Sequence, residues 1–102
     1  MNRETVLRAI AEPRRQVILR LIRDQPRSAG DIGRHFAISQ QAVSQHLRVL
    51  ADAKLVNVRA RGKQRLYVLN PAGLDALEGF LADLWPAGLG RLKRAVEARR
   101  GR

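Results

Sequence analysis

The chain contains no cysteine. Disulfides and thiolate-held metal sites are therefore excluded, and the composition suits a reducing cytoplasm. Histidine is nearly as scarce, with only His35 and His46. Two histidines and scattered carboxylates are too few ligands for a metal centre, so neither metal nor cofactor is expected. No Ser/His/Asp arrangement can be built from them, and no glycine-rich phosphate loop is present. An enzyme is therefore not expected. No apolar run reaches the length of a membrane span, and the first residues do not read as a signal peptide. Acidic residues are few as well: nine against 20 Lys and Arg, a formal charge of +11 on 102 residues. A length of this order fits one domain. So large a charge on a small domain favours a polyanionic partner, either nucleic acid or an anionic membrane surface.

The charge is unevenly placed. Residues 1–65 hold 14 basic and five acidic groups. Residues 66–90 hold no Lys or Arg but three acids, Asp75, Glu78 and Asp83. Residues 91–102 hold six basic groups and one acid. The middle block is a poor face for a polyanion and a natural place for self-association.

What is present is mostly helical periodicity. Arg3 to Ala11 is helix-compatible, with Val6, Leu7 and Ile10 as its apolar face. Pro13 breaks that segment and suits the first turn of the next. There Val17, Ile18, Leu21 and Ile22 form a helical stripe that ends at Asp24-Gln25-Pro26. Ser28 caps a third helix, with Asp31 at the capping-box spacing and Ile32 and Phe36 turned inward. Ala37-Ile38 is a short turn. Ser39 then caps a fourth helix running to about Ala53. Two strand-like runs follow, Leu55–Arg59 and Gln64–Leu69, joined by Ala60-Arg61-Gly62-Lys63. Asn70-Pro71 opens a last helical region with Leu74, Leu77, Leu81 and Leu84 in register. Beyond Trp85-Pro86 the stripe resumes as Leu89, Leu92 and Val96.

Helix, turn, helix and basic hairpin is the winged helix-turn-helix order, and the fourth helix is the one expected in a DNA major groove. At 100° per residue with Val43 at the origin, Leu47 and Leu50 fall within about 40° of it, while Gln41, Gln45 and Arg48 lie roughly opposite. Ser44 is on one flank and His46 on the other. The first two turns therefore present Gln41, Ser44 and Gln45 outward, with Gln40 beside them. Glutamine can pair with adenine through two hydrogen bonds, and serine can donate or accept. Lysine alone would add affinity with little sequence information. Such a face is also what an ordinary solvated helix could carry. Its place after a capped turn and before a basic hairpin favours the reader. Arg48 is better placed for phosphate. Arg59, Arg61, Lys63 and Arg65 around Gly62 form a basic ribbon for backbone or minor groove, although charge also protects an edge ribbon from aggregation. The Leu74–Leu84 and Leu89–Val96 stripes exceed what the core needs. Part of them should cover the core, and Leu74, Leu77, Leu81, Leu84, Trp85, Leu89 and Leu92 are expected to pair two copies.

The run Ala11-Glu12-Pro13-Arg14-Arg15, with Ile18-Leu19, then Ile38 to Leu50 (ISQQAVSQHLRVL), then Leu55-Val56, Arg59-Ala60-Arg61-Gly62-Lys63 and Tyr67, resembles the ArsR family of bacterial repressors. The likeness covers roughly residues 3–85. It implies a homodimeric winged helix that binds a palindromic operator and usually represses. On the recognition helix it implies Gln40, Gln41, Ser44, Gln45 and His46, and on the wing Arg59, Arg61, Gly62 and Lys63. The family's cysteine-bearing metal motif is replaced here by Arg27-Ser28-Ala29-Gly30-Asp31, and no histidine follows His46. The chain therefore resembles the non-metal branch, and its effector, if there is one, is unspecified.

The expectation is a mainly α chain with a small β-hairpin. Residues 1–70 form the winged helix-turn-helix core, 71–98 a dimerisation region and 99–102 a basic tail. It should be cytoplasmic, bind double-stranded DNA as a homodimer through Ser39–Arg48 and the hairpin, and stay off membranes. Two-fold symmetry puts half-sites about 34 Å apart. The competing reading is a non-specific architectural DNA- or RNA-binding protein.

Overall fold

The computed structural model describes residues 3–100, apart from the side chains of Leu89 and Arg100. The elements run α1 (Arg3–Ile10), α2 (Pro13–Asp24), α3 (Ala29–Gly33), α4 (Gln40–Asp52), β1 (Val56–Arg61), β2 (Gln64–Leu69), α5 (Pro71–Leu84) and α6 (Pro86–Arg100). Side-chain caps set the starts, because the first backbone N–H groups of a helix have no partner inside it. The Glu12 carboxylate accepts from the Arg15 N–H at 3.0 Å, with Pro13 opening α2. The Ser28 and Ser39 hydroxyls each accept at 3.1 Å, from the N–H of Asp31 and of Ala42. Asn70, at the opening of the last helical region, caps α5 by accepting from the Ala72 N–H at 3.0 Å.

The third helix is shorter than expected. It ends at Gly33, and Phe36 lies beyond it in a tighter turn, where the N–H groups of His35 and Phe36 donate to the carbonyls of Ile32 and Gly33. Two glycines in five residues give this segment weak helix propensity. The hairpin is tighter too. Its strands extend to Arg61 and from Gln64, which pair with each other, leaving Gly62-Lys63 as a two-residue loop. Gly62 has φ +61°, as a first central hairpin position requires.

The core is formed by Val6, Ile18, Ile22, Ile32, Val43, Leu47, Leu50, Leu55 and Val56, with Ala9 and Ala53 filling the close contacts. All three stripe residues of α4 are buried. In α1 the inward pair is Val6 and Ala9, while Leu7, expected on that face, is exposed.

Two junctions hold the wing to the helices. The first ends α4. Lys54 takes a left-handed conformation (φ +60°), its N–H donates to the Ala51 carbonyl, and the Leu55 N–H reaches back to Leu50. This is a Schellman termination with lysine where glycine is usual. The Lys54 carbonyl then accepts from the Gly73 N–H at 2.8 Å, docking the start of α5. A Cβ on Gly73 would stand 2.7 Å from that oxygen and 2.8 Å from Leu55. Gly73→Ala should therefore cost about 1–3 kcal/mol through overpacking against backbone, read as a lower urea midpoint. An unchanged midpoint would mean that this junction is slack. The second junction is a one-residue bridge of Arg27 to Tyr67, with N–H···O distances of 2.7 and 3.2 Å. It adds a third edge to the hairpin.

α5 packs on α1, and α6 packs on α5. The apolar stripe of α5 divides. Leu77, one of the residues expected to pair two copies, is half-buried against the chain's own core. Leu74 lies in an open apolar hollow with Leu19 and Leu69. Leu84, Trp85 and Leu92 are 68%, 55% and 57% exposed, with Leu81 beside them less so. Leu89, expected with them, has its side chain outside the described residues. Of the expected basic tail, residues 99–100 continue α6, and residues 101–102 lie outside the described residues. Among the described residues no helix is long and apolar enough to cross a membrane.

Candidate nucleic-acid interface

α4 is positioned by its buried face and its Ser39 cap. Its opposite face leaves Gln41, Ser44, Gln45 and Arg48 exposed. The first turn carries no acid, so its free N–H groups meet no opposing charge from the helix itself. Gln40 is also exposed, but its amide lies over Gly33. A Cβ there would be 2.6 Å from Gln40 Oε1. Gln40 therefore spaces α3 from α4, a role that depends on glycine at residue 33.

His46 sits on the inner flank, half-buried. Its Nδ1 lies 3.3 Å from an Arg15 guanidinium nitrogen. Arg15 also donates to the carbonyls of Ala9 at 2.6 Å and Arg8 at 3.2 Å. One guanidinium thus ties the end of α1 and the start of α2 to the middle of α4. Partial burial works against ionisation of the neighbouring Glu12. Hydrogen bonds from the Arg15 and Arg14 backbone, together with the charges of His46 and Arg14, nonetheless hold its carboxyl below the usual value. Nothing in the sequence spacing announces this cluster, since Arg15 and His46 are 31 residues apart.

The wing's basic residues are all exposed, but they do not share one face. Alternation along the paired strands puts Arg59 and Arg61 on one face and Arg65 with Tyr67 on the other. Lys63 is at the tip. Arg65 and Tyr67, with Val58, form one side of a hollow of about 330 Å³ whose other side is Ser44, Leu47, Arg48 and Ala51 of α4. Tyr67 and Val58 were not anticipated there. The period-two pattern of β2 could have placed Tyr67 beside Arg65, but the approach of α4 could not be read from it.

His35 is exposed, and its Nδ1 lies 3.1 Å from the Asp31 carbonyl. Asp31 is held below the ordinary carboxylate value by the Arg27 guanidinium that donates to it at 2.8 Å. Among the described residues no cluster of three or more His, Asp or Glu could hold a metal ion.

A helix-turn-helix domain family model matches residues 10–59. The chain is 40% identical over 81 residues to the HTH-type transcriptional regulator Rv2034 of Mycobacterium tuberculosis, covering 79% of this chain and 76% of the relative. It is 38% identical over 70 residues to the transcriptional repressor SdpR of Bacillus subtilis, covering 69% and 78%. Among solved structures it resembles the homodimeric winged helix-turn-helix DNA-binding domain of a possible ArsR-family regulator from Mycobacterium bovis. That match has a TM-score of 0.63 and 27% identity over 83% of this chain and 77% of the other. With a capped recognition helix, a two-stranded wing and this degree of identity, the chain belongs to the ArsR family of winged helix-turn-helix transcription regulators.

Proposed function

We propose that the protein is a homodimeric repressor that binds a two-fold symmetric DNA site. α4 enters the major groove, and Gln41, Ser44 and Gln45 meet base edges. Arg48 and the wing residues Arg59, Arg61, Lys63 and Arg65 meet phosphates. The exposed apolar surface of Leu81, Leu84, Trp85 and Leu92 receives the second copy. A regulator of this kind works in the cytoplasm, where a bacterial chromosome lies. The family is one of DNA-binding regulators rather than enzymes.

One observation carries the reading. The first two turns of α4 offer amides and a hydroxyl to solvent, with Arg48 only beyond them, while charge is abundant elsewhere on the molecule. A protein binding by charge alone would put Lys and Arg on that face. The relative in Bacillus subtilis is named a repressor and the Mycobacterium bovis domain is homodimeric, which supports the same reading.

The roles separate by experiment. Gln45→Ala should relax preference at one or two base pairs, costing about 1–3 kcal/mol against the preferred site. Lys63→Ala should weaken every sequence alike and lower the salt slope by about one unit. Binding isotherms on preferred and scrambled duplexes over a salt series distinguish the two. If the effects are interchanged, reader and anchor have been assigned the wrong way round. If preferred and scrambled duplexes bind equally, the architectural reading replaces this one.

A further inference from the structure

We propose that Arg48 of α4 and Arg65 of the wing hold one and the same phosphodiester of the DNA backbone. This rests on the reading of α4 and the wing as the DNA-binding elements, and sharpens it from two contacts to one shared site.

The hollow between these elements is the place. Ser44 and Arg48 line it from the helix, and Val58, Arg65 and Tyr67 from the wing. No carboxylate lines it. Neither the Arg48 nor the Arg65 side chain makes an ion pair or hydrogen bond among the described residues. Other arginines are already engaged: Arg3 with Asp83, Arg8 with Glu4, Arg23 with Asp24 and Arg27 with Asp31. Strand alternation leaves Arg65 as the wing arginine on the face of Tyr67, with Arg59 and Arg61 on the opposite face. Two arginines therefore line one concavity to which no acidic residue contributes. Like charges placed this way repel, and a bound anion removes the repulsion. A phosphate offers oxygens that each planar guanidinium fork can take in pairs.

The hollow is held in shape before any ligand arrives. Tyr67 is bonded through its backbone to Arg27. The Arg27 guanidinium in turn donates to Asp31 at 2.8 Å and to the Leu21 carbonyl at 3.0 Å. The wing wall is thus fixed to the end of α2 and the start of α3. A phosphate gripped from both sides would set the depth of α4 in the groove relative to the wing.

The test is a double-mutant cycle on the full chain. Affinity for a mixed-sequence duplex is measured by anisotropy over a salt series for wild type, Arg48→Ala, Arg65→Ala and the double variant. Both residues are exposed, and circular dichroism checks that each variant is folded. Each single variant should lose about tenfold in affinity, as for a charge-assisted hydrogen bond, and about one unit of salt slope. The double variant should bind within about threefold of the weaker single, its slope again down by about one unit, because only one phosphate is lost. If instead the losses multiply and the slope falls by about two units, the arginines hold separate phosphates. The shared site is then wrong, while DNA binding through helix and wing stands. If all four proteins bind alike, the hollow does not face DNA, and the helix-and-wing reading falls with it.

Discussion

Leu47→Ala should lower the stability of this protein by about 2–5 kcal/mol, more than any surface substitution on the same helix. Leu47 is 2% exposed and belongs to the cluster that joins α4 to Ile18, Ile32 and Leu55. It also lies beneath the hollow between α4 and the wing. Removing its branched end leaves a cavity at the joint that fixes the reading face relative to the hairpin. Urea unfolding at fixed protein concentration gives the stability change, since the stability of the proposed dimer would depend on concentration. The comparison with Gln45→Ala matters here. Gln45 is exposed, so its loss should leave the urea midpoint nearly unchanged while altering sequence preference. Leu47→Ala should do the reverse, reducing DNA binding only as far as folded protein is lost. A shift below about 1 kcal/mol would mean that α4 is held by contacts other than this stripe.

Replacing Leu84 and Leu92 together by glutamate should separate the two copies of the proposed dimer. Both leucines are more than half exposed in one chain. Covering a leucine is worth about 1.5–3 kcal/mol, so two such losses raise the dimer dissociation constant by about a hundredfold or more. Each glutamate would also carry a charge that has to lose its water when that surface is covered. Sedimentation equilibrium should show monomer at concentrations where wild type is dimer. Affinity for a duplex with two half-sites should then fall toward that for one half-site. The far-UV spectrum should be unchanged, because neither residue packs in the subunit core. A dimer that survives both charges would move the interface elsewhere, with the hollow at Leu19, Leu69 and Leu74 the next surface to test.

The parts of the fold that were legible in the sequence are those governed by local rules. Val43, Leu47 and Leu50 recur at helical spacing, and all three are buried. Ser28 and Ser39 cap the helices they precede because a hydroxyl at that position meets a free N–H three residues on. Short-range competition was harder to judge. The stretch after Gly33 continues the apolar spacing to Phe36, yet two glycines and a tight turn end the helix first. The hairpin tip read as four residues because Ala60 and Arg61 are not distinctive strand formers. Pairing with Arg65 and Gln64 draws them into the ladder all the same. Leu7 and Ala9 exchanged places for a similar reason. The close approach of α1 to its neighbours favours the smaller side chain, which periodicity alone does not weigh.

The candidate site divides in the same way. Which residues of α4 face outward follows from helix geometry. What they face depends on tertiary approach. Gln40 is turned over Gly33, and His46 is drawn to Arg15, by contacts between separate helices. The hollow that brings Ser44 and Arg48 to Arg65 and Tyr67 is likewise assembled across the chain, from two elements whose separate patterns carry no record of each other.

The most direct measurement is selection of bound sequences from a random DNA pool by the purified full chain. The account predicts a two-fold symmetric consensus with half-sites about one helical turn apart, and loss of information at one or two positions of each half-site with Gln45→Ala. A pool that shows no enrichment, with all sequences retained alike at moderate salt, would contradict it.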